Sequence, residues 1–222
     1  MMEVSEKLQK TKKLGKIFKI VSIAASVLAV FFVVFYCLAP ATRLTTDIGK
    51  YAKGYNYYGW QLIFLGCGYP PLKILCLFEE KSTIAGDYVP NTWDFDFNFG
   101  LFLGFILPII AVIVCAIVSL KMKNRGKAVC EFVSAGAILL GGLLLVCCAP
   151  LSALTATDMG AGVGFKNQYL IPAMEAGTYN TLFYPVFTFV MCFLIAAFKG
   201  FRGAFLLYQR KLYKTAKAAA AN

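Results

Sequence analysis

Histidine is absent from this 222-residue chain, and charge is scarce: Lys, Arg, Asp and Glu together make up 15% of the residues. An ordinary soluble domain carries about 25% charged residues. Without histidine there is no Ser-His or Cys-His nucleophile pair. The sequence also lacks a Gly-rich phosphate loop and a metal-ligand cluster, so it offers none of the usual starting points for a catalytic site and implies no cofactor. Neither candidate outer loop holds an N-x-[S/T] sequon, which favours a bacterial or otherwise unglycosylated surface.

Charge is missing most completely from four long runs, residues 20–42, 97–120, 132–157 and 176–198. About 20 residues of helix, at roughly 1.5 Å each, cover the ~30 Å hydrocarbon core of a bilayer. With 59% hydrophobic residues, the chain is too short to bury four such helices in a soluble core. Four membrane-spanning helices follow. A fifth uncharged stretch, residues 54–72, contains Asn56, Gln61 and the pair Pro70-Pro71, which suit a lipid-exposed helix poorly.

The basic residues are unevenly placed. Six Lys lie in residues 1–19, four Lys/Arg in 121–131 and six in 199–222, so sixteen of 22 flank the same ends of the spans. The positive-inside rule places those ends in the cytoplasm. The net charge of +11 therefore reads as topology, with membrane lipids rather than nucleic acid as the surroundings. A cleaved signal peptide is disfavoured, because the first apolar run exceeds the 7–15 residues of an h-region and its Ala39-Pro40-Ala41 ending recurs as Ala149-Pro150.

That recurrence belongs to a larger match. Ala39-Pro40-Ala41-Thr42-Arg43-Leu44-Thr45 and Ala149-Pro150-Leu151-Ser152-Ala153-Leu154-Thr155 share A-P-x-[S/T]-x-L-T, and Asp47 and Asp158 follow. Val21-Ser22 and Val133-Ser134 open the two runs. Pro108 and Cys115 are spaced like Pro185 and Cys192. The pattern implies a duplicated helical hairpin with parallel copies related about the membrane normal. Pro40 and Pro150 would end the outgoing helices. Pro108 and Pro185 fit either helix starts or functional kinks.

The expected fold class is all-α membrane: a four-transmembrane-helix bundle from two parallel helical hairpin repeats, with a small extracellular β element in the first outer loop. The expected organisation is a basic cytoplasmic N-terminus (1–19), a first hairpin repeat (20–120) with a long outer loop (41–98), and a cytoplasmic link (121–131). A second hairpin repeat (132–198) with outer loop 151–180 and a basic C-terminal tail (199–222) complete it. Small residues four apart, Ser22/Ser26, Ala25/Ala29, Gly100/Gly104 and Ala137/Gly141, suit close helix packing in lipid. The spans themselves hold no Asp, Lys or Arg, and only Glu131 lies near an end, which counts against a proton-coupled transporter.

The first outer loop carries Tyr57, Tyr58 and Trp60 in an aromatic cluster, then two apolar arms, residues 61–66 and 72–78, around Tyr69-Pro70-Pro71. The arms read as a β-hairpin. Cys67 and Cys76 lie on opposite arms and are candidates for a disulfide, the other reading being two free buried thiols. Trp93-Asp94-Phe95-Asp96-Phe97-Asn98-Phe99 alternates like a strand. Its D-x-D-x-N is no EF-hand, since Phe99 and Phe105 stand where the loop needs Gly and an acid. Tyr57, Tyr58, Trp60, Tyr69 and Trp93 are the candidate partner-binding residues, with an aromatic interfacial belt as the plainer reading. Residues 201–217 place Phe201, Phe205, Tyr208 and Leu212 near one face, fitting an extension of the fourth helix or an amphipathic helix on the inner leaflet.

The short inner link, long first loop, shorter second loop and Cys67-x8-Cys76 spacing resemble the claudin-like tetraspan layout. Claudins carry Gly-Leu-Trp just before the first cysteine. Here Trp60 stands seven residues ahead of Cys67 without that tripeptide, so barrier function is not implied. The Gly59-Trp60-Gln61-Leu62-Ile63-Phe64 stretch also resembles small four-helix membrane proteins of Gram-positive bacteria, a likeness that brings no activity. The expected protein is a non-enzymatic, multi-pass plasma-membrane scaffold, accessory or interaction protein with both termini cytoplasmic. It would act through its outer loops on a protein partner or as a homo-oligomer. The alternative is a channel or transporter subunit with a pathway near the repeat axis.

Overall fold

The computed structural model describes residues 2–44, 55–64, 93–95, 98–149, 154–156 and 179–219. Four of its helices are long and apolar enough to cross a membrane. They are α1 (Met2–Leu38), α3 (Phe99–Lys121), α4 (Asn124–Cys148) and α5 (Phe183–Ala219). A short helix, α2 (Gly59–Phe64), and five strands complete the described chain.

The helix limits follow from the sequence. Helix α1 stops at Leu38 and α4 at Cys148, each one residue before an Ala-Pro pair. Proline has no N–H to continue the ladder and disfavours helical backbone in the residue before it. At the other ends, α1 and α5 run well past their uncharged segments. The Glu, Lys, Gln, Leu and Ala there are strong helix formers, so nothing local stops the helix. The tail from Lys199 is thus a continuation of α5. Helix α4 begins already at Asn124, leaving only Met122 and Lys123 between α3 and α4.

The chain divides into two compact units. One, the basic unit, comprises Met1–Phe31, Leu107–Leu140 and Met191–Asn222. Within it α1 and α5 pack through Phe18, whose ring meets Phe198, Phe201 and Phe205 edge-on at centroid distances of 6.3, 5.6 and 4.9 Å. One turn away, Gln209 Nε2 donates to the Thr11 carbonyl at 2.5 Å in the space that Gly15 leaves open. The Phe132 ring of α4 lies over Gly203 of α5.

The other, the strand-bearing unit, comprises Phe32–Ile106 and Gly141–Val190. Strand β1 (Pro40–Leu44) is central, antiparallel to β2 (Tyr55–Tyr58) on one side and β5 (Tyr179–Thr181) on the other. Arg43 faces Asn56 and Asn180 in register. The β1–β2 register shifts between Pro40 and Thr42, where Ala41 bulges, and the Ala41 carbonyl accepts from the Leu182 N–H at 2.9 Å. Strands β3 (Trp93–Phe95) and β4 (Leu154–Ala156) form a separate antiparallel pair.

In the same unit α3 and α4 approach closely. A Cβ on Gly104 would sit 3.0 Å from the Gly141 carbonyl oxygen and 3.0 Å from Leu144 Cβ. Asn98 ties their ends together. Its Oδ1 accepts from the Leu101 N–H at 3.1 Å, capping the start of α3, while its Nδ2 donates to the Cys148 carbonyl at 2.9 Å.

The hairpin arm expected over residues 61–66 is helical, not a strand, over residues 61–64. Residues Gly59–Phe64 form α2, with Trp60, Leu62 and Ile63 all buried. Two adjacent buried side chains break the alternation a strand needs, and a helical turn accommodates them. The second arm, residues 72–78, lies outside the described residues.

Candidate functional site: a charged clasp in the basic unit

Helix α1 buries one face, marked in the basic unit by Ser22, Ala25 and Ala29. The 3- and 4-residue spacing puts these small residues in one stripe. On α5, Lys199 and Arg202 are three apart and share a face; on α4 that level holds Glu131. The three helices bring these side chains together (Lys199 5%, Arg202 11% and Glu131 12% exposed).

Lys199 Nζ lies 3.0 Å from Glu131 Oε2, 2.8 Å from Ser26 Oγ and 3.4 Å from Ser22 Oγ. Its three N–H groups therefore have three acceptors. Arg202 Nη1 donates to Glu131 Oε1. Ser22 Oγ donates to the same carboxylate, 3.0 Å from Oε2 and 3.2 Å from Oε1. Ser26 donates its own proton to the Ser22 carbonyl at 2.9 Å, which leaves its lone pairs for Lys199.

A buried ion pair is tolerable only when its remaining hydrogen-bonding capacity is filled. Here the carboxylate faces two cations and a hydroxyl, and the ammonium is saturated. The arrangement holds α1, α4 and α5 together. With two cations to one carboxylate, the cluster carries a net charge of +1.

The residues singled out from the sequence are distributed as follows. Cys67, Cys76, Tyr69, Thr45 and Pro150 lie outside the described residues. Tyr57 and Trp93 occupy strands β2 and β3. Tyr58 and Trp60, singled out as partner-binding candidates, are buried in the strand-bearing unit. Ala39 and Ala149 are fully buried at the ends of α1 and α4, and Leu44 and Leu154 fall in β1 and β4. Pro40 opens β1, a position where its missing N–H is tolerated. Pro185 is in the first turn of α5, whereas Pro108 is the buried tenth residue of α3 and cannot donate to the Gly104 carbonyl. Cys192 is buried, and Cys115 is half-buried.

Sequence reasoning passed over the clasp, taking Glu131 and Lys199 as edges of uncharged runs. A signal was present. Glu131 is the only acidic residue between Asp96 and Asp158, set among Lys121, Lys123, Arg125 and Lys127. A lone carboxylate at the mouth of a span calls for a cation on a neighbouring helix. None of the known protein families matches this sequence, and no curated protein or solved structure matches it.

Proposed function

We propose that the protein is a non-enzymatic, multi-pass protein of the cell membrane, with both termini in the cytoplasm, that binds a protein partner through segments held above its helices. The observation that carries this reading is the double pairing of β1. It bonds to β2, at the head of the first long loop, and to β5, at the end of the second. Both loops thus start or finish on one sheet anchored at the end of α1. Such a frame fixes the ends of the loops and lowers the ordering cost of recognition. The clasp supports the same reading, since Lys199 and Glu131 serve each other. With Tyr58 and Trp60 buried, the reading assigns the contact to residues 65–92 and 157–178.

The experiment replaces residues 65–92 with a short Gly-Ser linker. The variant should insert and purify as a monodisperse species, and should lose a stoichiometric partner that cross-links to the intact chain in native membranes. Equal recovery of that partner with both chains would refute the proposal. Orientation is tested separately by labelling single cysteines placed at Lys10 and Lys217, which membrane-impermeant maleimide should reach only after permeabilisation.

One observation favours the second reading, a channel or transporter built on a duplicated hairpin. The strand after α1 pairs with the strand before α5, and the strand after α4 pairs with the strand before α3. That reciprocal exchange is what a twofold-related pair of hairpins would make. Solute or ion flux in proteoliposomes above that of empty vesicles would move the assignment to this reading.

A further inference from the structure

Counting along each long helix shows where its charge begins. From Leu38 back along α1 the first charged residue is Lys19; from Phe99 along α3 it is Lys121. These lie about 28 and 33 Å from the helix ends, the thickness of a bilayer's hydrocarbon core. On α4 and α5 two charges come earlier, Glu131 and Lys199, and they pair with each other at 3.0 Å. Beyond them come Lys127 on α4 and Arg202 on α5, about 31 and 28 Å along, at the level of the lipid headgroups. The carboxylate within the apolar span is thus neutralised by Lys199, and Arg202 is the surplus cation at the rim.

Arg202 has donors to spare. A guanidinium carries five N–H groups. Among the described residues, only its Nη1 is engaged, by Glu131. The side chain is 11% exposed, so part of it reaches the protein surface. Lys127 lies one turn from Glu131 on the same side of α4, and no side chain among the described residues holds it. Exposed apolar side chains adjoin the clasp: Phe132 follows Glu131 on α4 with its ring over Gly203, and Phe201 precedes Arg202 on α5.

We propose that Arg202 and Lys127 bind the phosphate of an anionic phospholipid in the leaflet surrounding the basic unit. The guanidinium supplies the forked hydrogen bonds that a phosphate accepts. Lys127 adds a point charge, and the acyl chains lie against Phe132 and Phe201. The exposed apolar side chains select a lipid over a free anion, since a dissolved phosphate gains nothing from them. The proposal is independent of the partner-binding reading.

The test is native mass spectrometry of the full chain released from nanodiscs holding equal phosphatidylglycerol and phosphatidylcholine. The intact protein should retain one phosphatidylglycerol in preference to phosphatidylcholine. Arg202→Gln should cut that preference about tenfold, the loss of a charge-assisted hydrogen bond. Lys127→Gln should cut it by a smaller factor, and Lys121→Gln, on α3, should leave it unchanged. If Arg202→Gln fails to fold, the Lys127→Gln and Arg202→Lys variants decide. Lys127 holds no other side chain among the described residues, and Arg202→Lys keeps the charge but loses the fork, so each should weaken the preference in folded protein. Equal retention of the two lipids by the intact chain, or an undiminished preference in the folded variants, would overturn the proposal. So would release of the retained lipid by inorganic phosphate, which would reassign the site to a free anion.

Discussion

Replacing Glu131 by methionine tests whether the clasp holds the basic unit together. Methionine preserves length and flexibility, so the change removes charge without opening a large cavity. What remains is Lys199, 5% exposed, with only Ser26 and Ser22 to accept from it, and Arg202 with no acidic partner among the described residues. Removing one partner of a buried ion pair costs about 3–5 kcal/mol, because the remaining charge is stranded in low dielectric. The reciprocal change, Lys199→Met, should cost less, since Glu131 keeps Arg202 and Ser22. The double variant Glu131→Met/Lys199→Met should recover at least ~2 kcal/mol of the Glu131→Met loss, because an apolar replacement of a whole buried pair is often neutral. Arg202, at the rim, can then turn to the headgroups. The assay is reversible unfolding in mixed micelles by added dodecyl sulfate, followed by far-UV circular dichroism. A coupling energy between the two positions near zero would refute the reasoning, as would an unchanged stability of Glu131→Met.

Other predictions rest on packing and register. Gly104→Ala places a methyl 3.0 Å from the Gly141 carbonyl and should destabilise the protein by about 1–3 kcal/mol in the same assay, whereas Gly136→Ala, with nothing within 4 Å, should be neutral or stabilising by up to ~1 kcal/mol. Phe18→Ala removes three edge-on ring pairs worth roughly 0.5–1.5 kcal/mol each, and should increase protease cleavage of the α1 segment before Gly15. Cysteines placed together at Arg43 and Asn180 should form a disulfide, as should a pair at Asp94 and Thr155, because each pair faces across an antiparallel ladder. Peptide mapping would read the bonds, and a pair shifted by one residue should form them poorly.

The four spans were legible because uncharged runs of bilayer length are a one-dimensional signal. The exits of α1 and α4 were legible because Ala39-Pro40 and Ala149-Pro150 act locally on the backbone. The clasp was not, because Glu131 and Lys199 are 68 residues apart and Ser22 is 109 residues from Glu131. Hydropathy locates a span without saying which face meets which neighbour. Gln61-Leu62-Ile63-Phe64 was misread for the opposite reason. A short apolar run fits strand and helix alike, and burial of Trp60, Leu62 and Ile63 together decides between them. Pro108 and Pro185 look equivalent by spacing to Cys115 and Cys192, yet one is the tenth residue of its helix and the other the third.

That seven-residue offset bears on the proposed duplication. Aligned by their starts at Phe99 and Phe183, α3 and α5 place Pro108 opposite Cys192 and Cys115 opposite Lys199. Seven residues are close to two full turns, so a slip of one heptad keeps a residue on nearly the same face while moving it about 10 Å along the helix. A duplicated hairpin could therefore slide its returning helix without repacking, keeping the strand exchange of β1 with β5 and β4 with β3. The clasp does not share that symmetry. Aligned by the Ala-Pro exits, Glu131 falls opposite Val21, and by helix starts Lys199 falls opposite Cys115. Both charges belong to the second hairpin, and the first contributes only Ser22 and Ser26. On the duplication reading, the ion pair distinguishes the two halves: it was gained in one copy or lost from the other. Paired gain or loss is the economical route, because a single buried charge would carry the several-kcal/mol penalty that the Glu131→Met variant is designed to expose.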